Sequence, residues 1–413
     1  MMDEKLKRIT ELLLAAGARD VVMVGGCVRD MLLGIPSKDI DVEVYGLTYQ
    51  EMFQALRGHF RVNQVGQSFS VLKVDHEIDL AIPRRESKIG AGHRGFEVTA
   101  DKDMTFSEAA GRRDLTINAI GMRPDGTLCD PYGGVEDLKK GILRAPTEAF
   151  CEDPLRVLRA MQFAARFGFT LEERTAALCR RVLPEFATLT QERVYMEWSK
   201  WAEKGKYPSK GLDTLVQSGW IACFPQLNVP GILEAVKPIC DRAARIAETE
   251  GLAGETRQEL LFSALCCRSE DASWVTDMRA PNRVRDAVDA LCRAARNFDP
   301  EKVLDDTALR RLSVALSPSN IHVFLLLQEA IEDRTFEEPR RNAARLGVLD
   351  VPPKPILLGR HLMALGVPCG PEMGAMLNAA WEAQLDGTFF TVNDALSWWK
   401  KRNNRINLIK GLP

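Results

Sequence analysis

Two aspartates separated by one residue follow a pair of glycines near the start of the chain. Gly25 and Gly26 end a short apolar run, Arg29 comes three residues later, and Asp39 and Asp41 alternate with apolar residues. A glycine turn at a helix start can bring backbone N–H groups close to a phosphate, and a nearby arginine adds positive charge. Carboxylate oxygens are ligands that Mg²⁺ prefers, often together with substrate phosphates. The combination indicates phosphoryl or nucleotidyl transfer.

The elements that must position these residues are a strand, a helix and a second strand. Residues 21–24 are an apolar run typical of a buried strand, and the helix after the glycines ends at Gly34, because Pro36 prevents its continuation. From 39 to 44 charged and apolar residues alternate, which predicts a strand with one buried face. The alternative, a solvated strand behind a chance glycine pair, leaves the order of these parts unexplained.

The glycine turn fits neither of two common nucleotide-binding patterns. GGCVRD has neither the GxxxxGK[ST] of a Walker loop nor the GxGxxG spacing of a dinucleotide-binding turn. It resembles instead, together with Asp39-x-Asp41, the active-site signature of nucleotidyltransferases related to DNA polymerase beta. The resemblance is strongest to the class II (bacterial-type) tRNA nucleotidyltransferases, the branch that contains CCA-adding enzymes and poly(A) polymerases.

A second signature lies at residues 112–119, RRDLTINA. Paired arginines offer planar donor groups suited to triphosphate or ribose oxygens, and Asn118 can bond to a sugar hydroxyl. The alternative from the residues alone is a helix start capped by Asp114. The string resembles the second motif of the same family almost letter for letter, which implies that Arg112, Arg113, Asp114 and Asn118 bind the nucleotide.

A third signature, EDPLRVLR, begins at Glu152 and places Asp153, Arg156 and Arg159 three residues apart on a predicted helix. By spacing alone this could be a ladder of surface ion pairs worth tenths of a kcal/mol. It resembles the family's EDxxR motif, which implies that Asp153 and Arg156 bond to the base edge of CTP or ATP and that Arg159 contacts a phosphate. The donors and acceptors of these side chains make selection of C and A intelligible. Gln162 stands where relatives often carry another arginine.

Two further segments of the first part of the chain are candidates for a role in catalysis. Asp79 lies on the second strand of a predicted hairpin that turns at Asp75-His76, and the resemblance implies a third carboxylate of the metal site there. A surface aspartate is the alternative. Residues 84–111 are polar and contain glycines, which predicts a long functional loop. In the family a loop here helps the switch from C to A addition, and its length argues against an enzyme that adds only C.

Composition and charge set broader limits. With 46% hydrophobic and 27% charged residues the chain has an ordinary globular balance, and no apolar stretch is long enough to predict a membrane span. Ten cysteines without a CxxC pair argue against a zinc site and fit the reduced thiols of the cytoplasm. A net charge of −2 gives no global argument for nucleic acid, although residues 139–181 carry nine basic and five acidic residues.

The resemblance implies an α+β protein in four parts. These are a polymerase-beta-like nucleotidyltransferase head of mixed sheet and helices (1–145), then an all-helical neck (146–215), body (216–340) and tail (341–413). The neck would recognise the base and the tail would hold tRNA. Arg193, at the start of a later neck helix, is expected to brace the neck rather than to act on substrate.

The implied activity is template-independent addition of CCA to tRNA 3′ ends from CTP and ATP, with release of pyrophosphate. Asp39 and Asp41 would hold two Mg²⁺ ions, and no stable protein partner or membrane is implied. Three alternatives stay open: an A-adding specialist, a poly(A) polymerase, and a catalytically inactive RNA-binding scaffold. A dinucleotide oxidoreductase is disfavoured by the spacing of the first glycine turn.

Overall fold

The computed structural model describes residues 4–36, 40–66, 71–88, 96–269 and 273–410. Their contacts divide the chain into two compact units, one up to Leu233 and the other from Glu234 onward. The first unit contains a β-sheet with helices, and the helices of the second unit are joined by turns and loops without a strand among its described residues, which confirms the predicted α+β class. The four-part division at residues 145, 215 and 340 stays a prediction.

The elements found in the described residues are as follows. The α-helices are α1 (Glu4–Ala15), α2 (Gly26–Leu32), α3 (Tyr49–Leu56), α4 (Phe106–Gly111), α5 (Gly134–Lys140), α6 (Leu155–Phe167), α7 (Glu173–Arg181), α8 (Gln191–Lys204), α9 (Pro208–Gln217), α10 (Ile232–Thr249), α11 (Gly254–Cys266), α12 (Ser273–Asp277), α13 (Asn282–Arg296), α14 (Asp306–Ala315), α15 (Ile321–Glu332), α16 (Glu337–Arg345), α17 (Gly359–Met363), α18 (Pro371–Leu385) and α19 (Val392–Lys410). The strands are β1 (Asp20–Val24), β2 (Ile40–Tyr45), β3 (Val62–Gly66), β4 (Val71–Val74), β5 (Ile78–Ala81), β6 (Arg84–Lys88), β7 (Phe96–Ala100), β8 (Gly121–Met122), β9 (Leu128–Cys129), β10 (Ile142–Leu143) and β11 (Thr170–Leu171).

Seven strands form one mixed sheet in the order β3-β4-β5-β2-β1-β8-β9. The β2–β5 pair is parallel, whereas the other neighbouring pairs of this sheet are antiparallel. A dinucleotide-binding fold requires a mostly parallel, doubly wound sheet, so the topology rules that alternative out. The strand order is a stronger argument against a dinucleotide-binding fold than the glycine spacing is, because a GxGxxG string does occur at Gly90, Gly92 and Gly95, outside the described residues.

The strand–helix–strand prediction around the first glycine turn is confirmed for the described residues. Val42 and Val44 of β2 are buried while Asp41 is exposed and Glu43 is half-buried, as alternation requires. Helix α2 ends before Gly34, whose φ of +70° is the left-handed conformation that closes many helices. Asp39 lies outside the described residues, so its placement stays a prediction.

The segment from 84 to 111 is not the continuous loop that its composition predicts. Strands β6 and β7 pair with each other in antiparallel fashion, and helix α4 begins at Phe106 after a capping box formed by Thr105 and Glu108. The prediction of one continuous loop was wrong, because a polar two-stranded ribbon and a polar loop do not differ in composition. Residues 89–95, between the two strands, lie outside the described residues.

The short strand β10 does not belong to the seven-stranded sheet. It pairs in parallel with β11 in a separate two-stranded sheet, so β10 precedes and β11 follows the connection that contains helix α6. Helix α6 is buried along most of its length, and it follows Pro154, as expected for a helix start. Because β10 and β11 hold both flanks of α6, this helix has a defined position against the head.

The second unit is built from helices around apolar clusters. One cluster, near the end of the chain, consists of buried residues that include Leu362, Met373, Phe389 and Trp399. Among the residues that the structure describes, no helix combines the length and the apolar composition needed to cross a membrane. All ten cysteines belong to the described residues, and each is unpaired.

Candidate active site

A cavity of about 350 Å³, called the central cavity below, opens in the first unit between the glycine turn and helices α6 and α8. Eight residues singled out in the sequence line it: Gly25, Gly26, Arg29, Asp41, Arg113, Asp114, Asn118 and Arg159. They come from four separate segments of the chain. The fold therefore brings the first two signatures together with one member of the third.

The glycine turn is shaped to let an arginine approach it. Gly25 has φ of 73° and ψ of −136°, a conformation that side chains disfavour, and a Cβ there would lie 3.0 Å from Nη1 of Arg113. Arg113 also donates from Nη2 to Oε1 of Glu43 on β2 at 2.7 Å. Arg113 is thereby held between the strand of Asp41 and the glycine turn.

Arg29 is buried, and its guanidinium group bonds mainly to other residues of the protein. Its guanidinium donates to Asp30 and to Oδ1 of Asn118, and it lies 5.0 Å from the ring centroids of both Phe163 and Phe167. Burial lowers the pKa of Arg29, and the neighbouring carboxylate of Asp30 opposes that shift. Three of its N–H groups are thus committed, which leaves two for a phosphate.

Asn118 and Asp114 extend the hydrogen bonds of Arg29 toward helix α6. Asn118 donates from Nδ2 to Oδ1 of Asp114 at 2.9 Å, and Oδ2 of Asp114 accepts from Nε of Arg159 at 2.7 Å. Both polar atoms of the Asn118 amide therefore have protein partners, so its expected contact with a sugar hydroxyl stays a prediction. Burial would raise the pKa of Asp114, but Arg159, Asn118 and the Leu115 N–H together bring that pKa below its ordinary value.

The strands place a second carboxylate beside Asp41. Asp41 and Asp79 are partners in the parallel β2–β5 register, so their side chains share one face of the sheet. Nζ of Lys73 lies 3.1 Å from Oδ1 of Asp79, although its angle is too poor for a hydrogen bond. The carboxylate oxygens of this pair fit a hard divalent cation such as Mg²⁺. Among the described residues, which exclude Asp39, no group of three or more His, Cys, Asp or Glu could hold a metal.

Only one of the paired arginines lines the central cavity. Arg112 donates from Nη2 to Oε2 of Glu152 at 2.8 Å and lines a neighbouring cavity of about 250 Å³, whereas Arg113 lines both cavities. The expected joint grip of both arginines on one triphosphate stays a prediction.

The two residues expected to recognise the base do not line the central cavity. Asp153 accepts from the Leu155 N–H through Oδ1 and from Nη2 of Arg193 through Oδ2, at 3.1 and 2.8 Å. Arg156 donates to the carbonyl oxygen of Ala149 at 2.7 Å. They lie at the start of helix α6, one turn before Arg159. Arg193 joins helix α8 to Asp153 by this ion pair, and its expected bracing role stays a prediction.

Five residues that line the central cavity had no assigned role in the sequence: Gln162, Phe163, Arg166, Lys200 and Lys204. The first three follow Arg159 at three-, four- and seven-residue spacing, and the two lysines are four apart on α8. That spacing places each set on one helix face. The spacing of these residues can be read from the sequence. The packing of α6 against α8, which brings both sets to one cavity, cannot.

Comparison with known proteins defines the class of this fold and site. Residues 21–144 match the family profile of the poly A polymerase head domain, and residues 168–229 match the profile described as "Probable RNA and SrmB- binding site of polymerase A". The Bacillus stearothermophilus CCA-adding enzyme, solved in complex with CTP, has the same fold, with a TM-score of 0.73, 24% identity and coverage of 98% of this chain and 99% of that one. The first unit therefore contains a domain of the poly A polymerase head class, followed by a helical extension.

Sequence relatives identify the family more closely. A CCA-adding enzyme of Bordetella pertussis is 40% identical over 293 residues, which are 68% of this chain and 76% of that protein. A multifunctional CCA protein of Chromobacterium violaceum is 45% identical over 206 residues, about half of either chain at 49% each. The chain belongs to the CCA-adding enzyme family. The match to the multifunctional CCA proteins spans only about half their length.

The Asp114–Arg159 pair generates a prediction about stability. Asp114→Asn removes the charge that Arg159 faces, and we expect the free energy of unfolding at pH 7 to fall by about 2–3 kcal/mol, since breaking a largely buried pair strands one charge. A carboxyl with a lowered pKa stabilises the fold above its unfolded value, near 3.9, and loses that contribution as pH falls through the folded value. The difference from wild type should therefore be largest above about pH 5.

Denaturant unfolding between pH 3 and pH 8 measures this difference. Glu173→Gln is the matched control, because Glu173 pairs with Arg180 at 2.7 Å on the surface and should contribute at most about 1 kcal/mol. An Asp114→Asn protein as stable as wild type at pH 7 would show that the pair does not join the head to helix α6.

Proposed function

We propose that this chain adds CCA to the 3′ ends of tRNA from CTP and ATP and releases pyrophosphate. The observation that carries the proposal is the central cavity, in which a glycine turn, Asp41 and Arg113 face one space within a chain of the CCA-adding family. Fold neighbours include the Thermotoga maritima CCA-adding enzyme complexed with tRNA, at a TM-score of 0.64. The ten unpaired cysteines support the cytoplasmic location predicted from the sequence.

The residues of the cavity would bind metal ions, bind phosphate oxygens or hold the site in position. Asp41 and Asp79, with Asp39, would hold Mg²⁺. When bound, such ions make the attacking hydroxyl more acidic and neutralise charge on the leaving pyrophosphate. Arg113 directs its guanidinium at the space beside the glycine turn, where backbone N–H groups and side-chain charge can hold phosphate oxygens in place. The Arg29–Asn118–Asp114 network keeps the turn and the neck helix in register for this contact.

Base selection is assigned to Asp153 and Arg156 at the start of α6. Asp153 has a side chain 31% exposed, so its carboxylate can exchange the Arg193 contact for the amino group that C and A both carry. Arg156 would then donate to acceptor atoms on the ring. Only a base with both the amino group and the ring acceptor atoms would be accepted, so these two side chains would take the place of a nucleic-acid template.

An A-adding specialist and a poly(A) polymerase are the alternatives, because both could use the same cavity. Three transcripts of one tRNA, ending at the discriminator base, at C and at CC, distinguish them when CTP and ATP are supplied separately and together with Mg²⁺. Products that stop at CCA on every transcript would support the proposal. Extension of the CC-ended transcript alone would mean an A-adding specialist, and a long A ladder would mean a poly(A) polymerase. No addition would favour the inactive scaffold.

Asp41→Ala tests the metal assignment. We expect addition to fall at least about a thousandfold, since a bound metal contributes several kcal/mol to catalysis. Stability should change by no more than about 0.5 kcal/mol, because Asp41 is exposed. Asp103→Ala, at an exposed aspartate away from the cavity lining, is the control and should keep full activity. Wild-type rates in Asp41→Ala would refute the assignment.

Asp153→Ala tests the base-recognition assignment. Removal of the carboxylate should lower the preference for CTP and ATP over UTP and GTP by about tenfold or more, since a lost hydrogen bond to a charged group is worth about 1.5–3 kcal/mol. The rate with saturating ATP should fall less than the preference does. Competition between labelled nucleotides on the CC-ended transcript measures the ratio. Unchanged discrimination would place base selection elsewhere.

A further inference from the structure

The positive charges of the central cavity are mostly paired with carboxylates inside the first unit. Six cations line the cavity, and five of them have a carboxylate within ion-pair distance: Arg29 and Arg166 with Asp30, Arg113 with Glu43, Arg159 with Asp114, and Lys200 with Glu197. The sixth is Lys204. Within the described part of the chain, no ion pair or hydrogen bond engages its ammonium group, and its side chain is exposed.

The backbone at Lys204 is held in place although its side chain is exposed. Lys204 is the last residue of α8, and the next residue, Gly205, packs so closely that a Cβ would lie 2.3 Å from the carbonyl oxygen of Trp201. The N–H groups of Lys206 and Tyr207 both donate to the carbonyl oxygen of Ala165 on α6, at 2.9 and 2.8 Å. Lys204 is therefore anchored beside the part of α6 that lines the cavity.

We propose that Lys204 is a further substrate-binding residue, whose ammonium group contacts a phosphate of the substrate in the central cavity. The inference rests on the proposed function and adds a residue that none of the three signatures contains. A lysine supplies a mobile point charge suited to phosphate oxygens, and this one has no carboxylate partner among the described residues to leave first. The phosphate could belong to the incoming nucleotide or to the RNA end, which share the same chemistry.

A lysine at the C-terminal end of a helix has an alternative explanation. Positive charge there interacts favourably with the helix dipole, worth about 0.3–1 kcal/mol at exposed sites. That role would change the stability of the protein without changing the affinity for substrate. Lys139 provides a matched control, because it is exposed in the last turn of α5, within the same unit, and does not line the central cavity.

The experiment measures binding separately for the two sources of phosphate. Equilibrium binding of CTP without RNA, and of a tRNA transcript ending at the discriminator base without nucleotide, would be compared for wild type, Lys204→Gln, Lys204→Arg and Lys139→Gln. We expect Lys204→Gln to weaken binding of one probe about tenfold or more, the loss typical of one charged hydrogen bond. Lys204→Arg should restore most of it, and Lys139→Gln should leave both unchanged.

Each outcome decides a separate point. Weaker CTP binding identifies the triphosphate as the contact, and weaker transcript binding identifies the RNA phosphate, so either supports the proposal. Wild-type affinity of Lys204→Gln for both probes would overturn it, whatever happens to thermal stability. A wild-type protein that binds CTP but adds no nucleotide would overturn the proposed function and leave the assignment of Lys204 intact.

Discussion

The first unit depends on one buried chain of charged and polar side chains that crosses from the head to the neck helix. Its members, in order of contact, are Arg166, Asp30, Arg29, Asn118, Asp114 and Arg159. It begins and ends on helix α6, while its middle lies on α2 and on the segment 114–118. Buried charges are costly unless every one has a partner, so the alternation of charge is what allows the network to be buried at all.

This network explains why several predicted ligands of the nucleotide are engaged with protein atoms. Three N–H groups of Arg29 and both polar atoms of the Asn118 amide are bonded to each other or to carboxylates. These two residues therefore position the cavity as much as they can bind substrate. Arg113 and the exposed Asp41 stand at the edge of the network, facing open space. The division of roles follows from burial: the residues with the least access to solvent hold the fold, and those at the rim are available to a ligand.

Much of the local structure was predictable because short-range rules govern it. The buried strand before Gly25, the helix that ends before Gly34 and the alternating faces of β2 follow from periodicity and from glycine and proline chemistry. The turn at Asp75-His76 was equally clear, and both residues adopt positive φ, as a tight hairpin turn requires. The pairing of β6 with β7 was missed, because a polar ribbon and a polar loop have the same composition.

The sequence by itself determined the class of chemistry, since the order of glycines, aspartates and arginines is a property of the chain. Only the tertiary structure decided which of these residues face a common space. Arg112 and Arg113 are neighbours in the chain, yet only Arg113 lines the central cavity, whereas both line the neighbouring one. Lys204 lies far along the chain from Gly25 yet lines the same cavity, because Ala165 anchors the end of α8. The sequence states the type of each residue. Distant segments become spatial neighbours only when α6 and α8 have packed against the head.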